Sequence, residues 1–126
     1  MEIYKIEAFS EWADDIGISD ADLLSAVKEM DDGLTGDNLG GNVYKKRVAL
    51  GNKGKSGGAR TLLAFKVGDK AFFMYGFPKN KRANITDKEA KALKIYAKEL
   101  LGLTDKQIFE ALKCGEFIEV EVNEDE

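Results

Sequence analysis

The chain has 126 residues, 44% of them hydrophobic and 33% charged; that is the length of one domain and the composition of a globular one. It has no histidine and a single cysteine, Cys114, which excludes a disulfide framework and a cysteine-based zinc site and removes the commonest general base of enzymes. The net charge of −4 is unevenly spread: residues 1–43 hold two basic and eleven acidic side chains, residues 44–82 eleven basic against Asp69 alone, and residues 83–126 six basic against eleven acidic.

Residues 2–6 predict a short strand. Phe9, Trp12, Ala13 and Ile16 then recur at helical spacing until Gly17. Ser19 and Asp22 are spaced as a capping box; it starts a second helix with Leu23, Leu24, Val27 and Met30 on one face and Gly33 at its close. Residues 33–41 are polar and glycine-rich and read as a loop. Residues 43–50 alternate as a strand, with Lys45 and Arg47 on one face and Lys46 on the other. A basic, glycine-rich turn over residues 51–58 leads to a strand at 60–66. Gly68-Asp69 is a tight-turn signal that joins it, as a hairpin, to residues 70–77. The nearly unbroken apolar run there predicts a central strand buried on both faces, ended by Pro78. Lys66 and Lys70 flank the turn and read as solvated.

Thr86 and Glu89 form a second capping box, and Leu93, Tyr96, Ala97, Leu100 and Leu101 make the stripe of the helix that Gly102 ends. Thr104 and Gln107 repeat the device for a fourth helix carrying Ile108, Phe109 and Leu112 and closed by Gly115; Cys114 near its end reads as packing. Over residues 117–122, Ile118, Val120 and Val122 alternate with Glu119 and Glu121, which predicts a last strand; residues 123–126 are expected to fray. The expected order is β-α-α-β-β-β-α-α-β, an α+β domain with helices around one small sheet. One domain spans 1–126, with 103–126 an acidic helix–strand extension of eight acidic and two basic side chains. No apolar run approaches the roughly 18 residues of a membrane span. The chain opens on Met-Glu-Ile-Tyr, which is acidic where a signal peptide is basic, so a cytoplasmic protein without a membrane partner is expected.

The basic segment points to a polyanion, since phosphate contacts are made at close range and respond to local charge; the alternative is a set of lysines that keep sheet edges soluble. Gly54-Lys55-Ser56 is not a nucleotide-binding loop, because Ala49 stands where the first glycine of that motif belongs and a strand follows instead of a helix. Asn84-Ile85-Thr86 matches a glycosylation acceptor, but Thr86 is better explained as a cap.

Three stretches form one pattern: Tyr44-Lys45-Lys46-Arg47-Val48-Ala49, Gly54-Lys55-Ser56-Gly57-Gly58-Ala59-Arg60, and Phe73-Met74-Tyr75-Gly76-Phe77-Pro78-Lys79-Asn80-Lys81. Together they resemble the RelE/HigB-like toxins of bacterial type II toxin–antitoxin modules, and the likeness runs from about residue 36 to the Glu116–Val120 end. The resemblance implies a RelE/ParE-like fold: a small, antiparallel-rich mixed sheet flanked by helices. It implies ribosome-dependent cleavage of mRNA in the ribosomal A site, and silencing by a cognate antitoxin. It implies a site of Lys and Arg, with Tyr or an acid, in place of a histidine pair, and no metal or cofactor. Carried over residue by residue, the catalytic candidates are Arg60, Lys79, Lys45, Arg47 and Tyr75. Lys55, Lys53, Lys81 and Arg82 are the further RNA-binding candidates. Arg60 would hold the scissile phosphate, Lys45 and Arg47 would assist it or move protons, Lys79 would be acid or base, and Tyr75 would stack on a base or assist proton transfer unless it is a core aromatic. Lys46 alternates away from this set.

Such a site is chemically coherent without histidine. RNA cleavage by the 2′-hydroxyl requires that oxygen to lose its proton, the phosphorane charge to be stabilised and the 5′-oxygen to gain a proton. Fixed cations meet the second need, and a lysine crowded by cations has its pKa lowered toward a proton-transfer role. Two alternatives stay open on the residues: a toxin of this fold that acts by binding a protein such as gyrase, which has less need for the cationic set, and a non-catalytic nucleic-acid or partner-binding module.

Overall fold

The computed structural model describes residues 1–49, 58–78 and 82–120. In chain order the elements are β1 (Glu2–Ile6), α1 (Glu7–Ile16), α2 (Asp20–Asp31), β2 (Asp37–Gly40), β3 (Val43–Val48), β4 (Ala59–Lys66), β5 (Lys70–Pro78), α3 (Asp87–Leu101), α4 (Asp105–Cys114) and β6 (Phe117–Glu119). The strands form one mixed sheet in the order β2-β3-β4-β5-β1-β6. β1 runs parallel to β5, and every other pairing is antiparallel. This is the expected α+β architecture, with one strand more than the sequence pattern predicts.

The extra strand is β2, within residues read as a loop. Its side chains do not alternate between buried and exposed, because it is the sheet edge and only its main chain pairs with β3. Gly40, Gly41 and Asn42, at φ of 89°, 60° and 64°, turn the chain back into β3, and two glycines and an asparagine are the residues that tolerate such angles.

α2, α3 and α4 start where the capping boxes predict. Ser19, Thr86 and Thr104 each accept from the backbone amide three residues on, and Asp22, Glu89 and Gln107 reach back to close the box. Gly17 and Gly115 end α1 and α4 in the left-handed conformation. One sheet face packs Ile3, Val48, Leu63, Phe65 and Phe73 under Phe9, Ala13, Leu23, Val27 and Met30 of α1 and α2. The other packs Tyr4, Val43, Leu62, Phe72, Met74 and Phe77 under Ala97, Leu100 and Ile108 of α3 and α4. Hence β5, fourth of the six strands, is apolar on both faces.

Two nearly buried lysines pin α2 to the sheet. Lys46 Nζ lies 2.8 Å from Glu29 Oε1 and donates to the Leu34 carbonyl at 2.9 Å. Lys5 Nζ lies 2.8 Å from Asp20 Oδ1. Lys46 thus turns away from Lys45 and Arg47 to a structural partner.

Four local expectations are corrected. In β6 Phe117 joins the core, packed on Phe72 with centroids 5.4 Å apart, while Ile118 is only half-buried; Val120, just past the strand, is buried as expected, and Val122 lies outside the described residues. Phe109 is exposed, with the Lys113 ammonium 5.5 Å over its ring, because α4 covers the sheet only with the Ile108 and Ala111 side. Lys70 is half-buried between Asp69, at 3.1 Å, and Glu2, at 3.8 Å. Cys114 is exposed and not part of the core. Cys114→Ser is therefore expected to shift unfolding by no more than about 0.5 kcal/mol and to leave growth arrest at the parent level; lost toxicity at an unchanged melting temperature would reveal a role for the thiol.

Candidate active site

The sequence candidates gather on the α3 face of the sheet, at the end where β3 finishes and β4 begins. Register assigns the residues there. Lys45 lies opposite Leu62, which lies opposite Tyr75; Arg47 lies opposite Arg60, which lies opposite Phe77. Directly paired residues share a sheet face, so Lys45, Arg47, Arg60, Tyr75 and Phe77 stand on one side.

Strict alternation would not bring Tyr75 there. Phe72 and Met74 face α3 while Phe73 faces α1, so the next inward position by parity would be Gly76. The register slips between Leu62 and Leu63: Leu62 pairs with Tyr75 but Leu63 with Phe73. Met74 is the extra residue of a β-bulge, and the bulge reverses the parity of everything after it. Tyr75 and Phe77 turn to the cationic face, and Gly76 turns to α1. Tyr75 is 37% exposed, which sets aside the reading of it as a core aromatic.

Arg60 carries an unsatisfied donor: its Nη1 is buried with no hydrogen-bond partner among the described residues. Burial, and after it the Arg47 charge, lower its pKa from the ordinary value, while Asp37 opposes them. The guanidinium remains charged at physiological pH, so a partly desolvated cation sits next to a like charge. Lys45 is braced: its Nζ lies 3.3 Å from Asp37 Oδ2 and donates to Asn84 Oδ1 at 3.3 Å. Arg47 is exposed.

Arg82 is held differently from the other candidates. Its Nη1 and Nη2 donate to the two Glu89 oxygens at 3.2 and 2.6 Å, and its Nε donates to the Asn84 carbonyl at 2.9 Å. Its guanidinium carbon lies 5.4 Å from the Phe77 ring centroid, a cation–π distance, and Nη1 reaches the Tyr75 hydroxyl at 3.4 Å. The Glu89 carboxyl is drawn down to about 2, first by Arg82 and then by the Thr86 amide. A carboxyl whose folded value is depressed contributes stability that is complete above its unfolded value and is lost as the pH falls through the folded one. An NMR titration of Glu89 is expected to give a midpoint of about 2; a midpoint in the ordinary glutamate range would refute the Arg82 clamp.

Lys45, Arg47, Arg60 and Tyr75 thus share one face, with Arg82 at its margin. Lys53 and Lys55, between β3 and β4, and Lys79 and Lys81, after β5, lie outside the described residues. Asp37, Asn84, Phe77 and Glu89 belong to the surroundings of the site and were not among the sequence candidates. The sequence marked Phe77 only as part of the family-like stretch, Asn84 only in a glycosylation pattern and Glu89 only as a cap, and gave no sign of Asp37.

A family model described as the RelE toxin of the RelE/RelB toxin–antitoxin system matches residues 1–120. The chain belongs to the RelE toxin family. The match takes in the first 35 residues, over which the sequence patterns alone carried no specific likeness, and α4 and β6 as well. No curated protein is significantly similar to the chain. As a RelE-family toxin it is the toxin component of a toxin–antitoxin system, and its partner is a cognate antitoxin. No helix among the described residues of this toxin is long and apolar enough to cross a membrane.

Proposed function

We propose that this RelE-family toxin is an endoribonuclease that cuts mRNA in the ribosomal A site, arresting translation and growth in the cytoplasm until its antitoxin neutralises it. The observation that carries this reading is the Nη1 of Arg60, buried and without a hydrogen-bond partner among the described residues, on the same face as Arg47 and Lys45. A desolvated guanidinium without an acceptor is unfavourable unless an anion arrives, and a planar fork suits two phosphate oxygens.

In this mechanism Arg60 binds the scissile phosphate and, with Arg47, stabilises the charge that grows on its oxygens as the phosphorane forms. Such donors act most strongly where they are fixed and desolvated beforehand. Lys45, braced by Asp37 and Asn84, adds a positioned positive charge or moves a proton. Lys79 is the candidate base. Lys53, Lys55 and Lys81 supply backbone contacts, which give affinity without reading sequence.

The test is a defined message, free or on programmed ribosomes, mapped by primer extension after purified toxin is added. Cleavage confined to ribosome-bound message at the A-site codon is expected. Growth arrest by a toxin that leaves both messages intact would overturn the nuclease reading in favour of a protein target.

A further inference from the structure

The contact between Arg82 and Tyr75 leaves a proton free. Arginine has donors only, so the Tyr75 oxygen accepts from Arg82 Nη1 at 3.4 Å and the phenolic hydrogen is not used in that contact. Arg82 itself is immobilised by Glu89, the Asn84 carbonyl and the Phe77 ring, and Glu89 is fixed by the Thr86 amide at 2.8 Å as part of the α3 capping box. A line of contacts therefore runs from the start of α3 to the hydroxyl of a tyrosine that the Met74 bulge has turned onto the cationic face.

We propose that Tyr75 is the catalytic residue that protonates the 5′-oxygen leaving group, and that Arg82 is a positioning residue which, clamped by Glu89, orients the Tyr75 hydroxyl toward the bound phosphate. This rests on the nuclease reading above. In the step, the 2′-oxygen bonds to phosphorus and the P–O5′ bond breaks, its electron pair staying on O5′. The Tyr75 proton moves to O5′, the 2′-hydroxyl proton passes to a neighbouring amine acting as base, and solvent then returns a proton to the phenolate and takes one from the amine. The products are a 2′,3′-cyclic phosphate and a 5′-hydroxyl. Arg82 is unsuited to be the acid itself: guanidiniums hold their proton far more tightly than phenols do, and the Glu89 hydrogen bond raises the Arg82 pKa further.

The experiment uses a message cut by the parent toxin at a mapped phosphate, and the same message with sulfur in place of that 5′-oxygen. A thiolate leaves without needing a proton. With the all-oxygen message, Tyr75→Phe is expected to slow single-turnover cleavage roughly 10²-fold or more, as loss of a general acid does, and Arg82→Ala on the order of 10-fold or more, as misplacement of a reacting group does. With the sulfur message both variants are expected to cut at close to the parent rate. A purely structural role for Arg82 would slow both messages equally, and Tyr75→Phe, which removes one oxygen, keeps the test valid should Arg82→Ala unfold. Parent-like cutting of the all-oxygen message by Tyr75→Phe, or equal slowing of both messages, overturns the proposal while the nuclease reading stands. Failure of the parent to cut any defined message in the primer-extension test refutes the nuclease reading and this assignment with it.

Discussion

Arg60→Ala is expected to abolish growth arrest and transcript cleavage at low induction while leaving the protein folded and able to bind its antitoxin. Loss of one preorganised donor to a developing oxyanion slows a reaction roughly 10²–10³-fold, which strong overexpression would mask. A rival account makes Arg60 a structural cation paired with an acid of the first two helices. The register opposes it: Arg60 stands with Leu62 on the sheet face that α3 covers, whereas α1 and α2 pack on the other. Its charged neighbours are Arg47 and Asp37, and its Nη1 is buried without a partner among the described residues. Removing a partly desolvated cation that faces a like charge and leaves a buried donor unsatisfied does not weaken a fold, so the melting temperature of the variant is expected to equal or exceed that of the parent. A folded variant as toxic as the parent would exclude a cationic nuclease site, and inactivity that tracks unfolding would restore the structural account.

The parts of this molecule that can be read from the sequence are those set by local physics. Capping boxes state their geometry in two residues, and Ser19-Asp22, Thr86-Glu89 and Thr104-Gln107 all form as spaced. Alternation places Lys45 with Arg47 and turns Lys46 away, because β3 is regular over that stretch. What cannot be read depends on which strands meet, and in what register. β2 exists through main-chain pairing and has no apolar pattern to announce it. Asp37 acquires its role only because that pairing sets it opposite Lys45. The bulge at Met74 leaves no mark in the apolar run of β5, yet it decides whether Tyr75 meets the core or the cations. Arg82, spaced like one more lysine-type contact in a basic tail, is instead tied to an acid seven residues on by the helix cap.

Gly76 joins the fold to the site, and its replacement is expected to have the largest effect on stability. With the parity of β5 reversed, Gly76 faces α1, and the Trp12 ring lies directly on it. A Cβ at this position would overlap Trp12 Cζ3 and Cη2 and stand 2.8 Å from Cε3. The ring cannot simply swing away, because Trp12 packs on Phe9 with centroids 5.5 Å apart, and Phe9 packs on Phe73 of the same strand at 5.3 Å. Glycine is required here for the close approach of a ring to the backbone, not for a special dihedral angle. Gly76→Ala must push α1 off the sheet or strain Trp12, and such overpacking costs about 1–3 kcal/mol, a fall in melting temperature of roughly 3–15 °C. It would also disturb Tyr75 and Phe77 on either side, so cleavage is expected to drop with stability. If the Trp12 contact is the cause, the effects are non-additive: adding Trp12→Leu, which vacates the space over position 76, should restore part of the stability that Gly76→Ala removes. Two changes whose destabilisations merely sum would show that the backbone of β5, and not the tryptophan above it, demands the glycine.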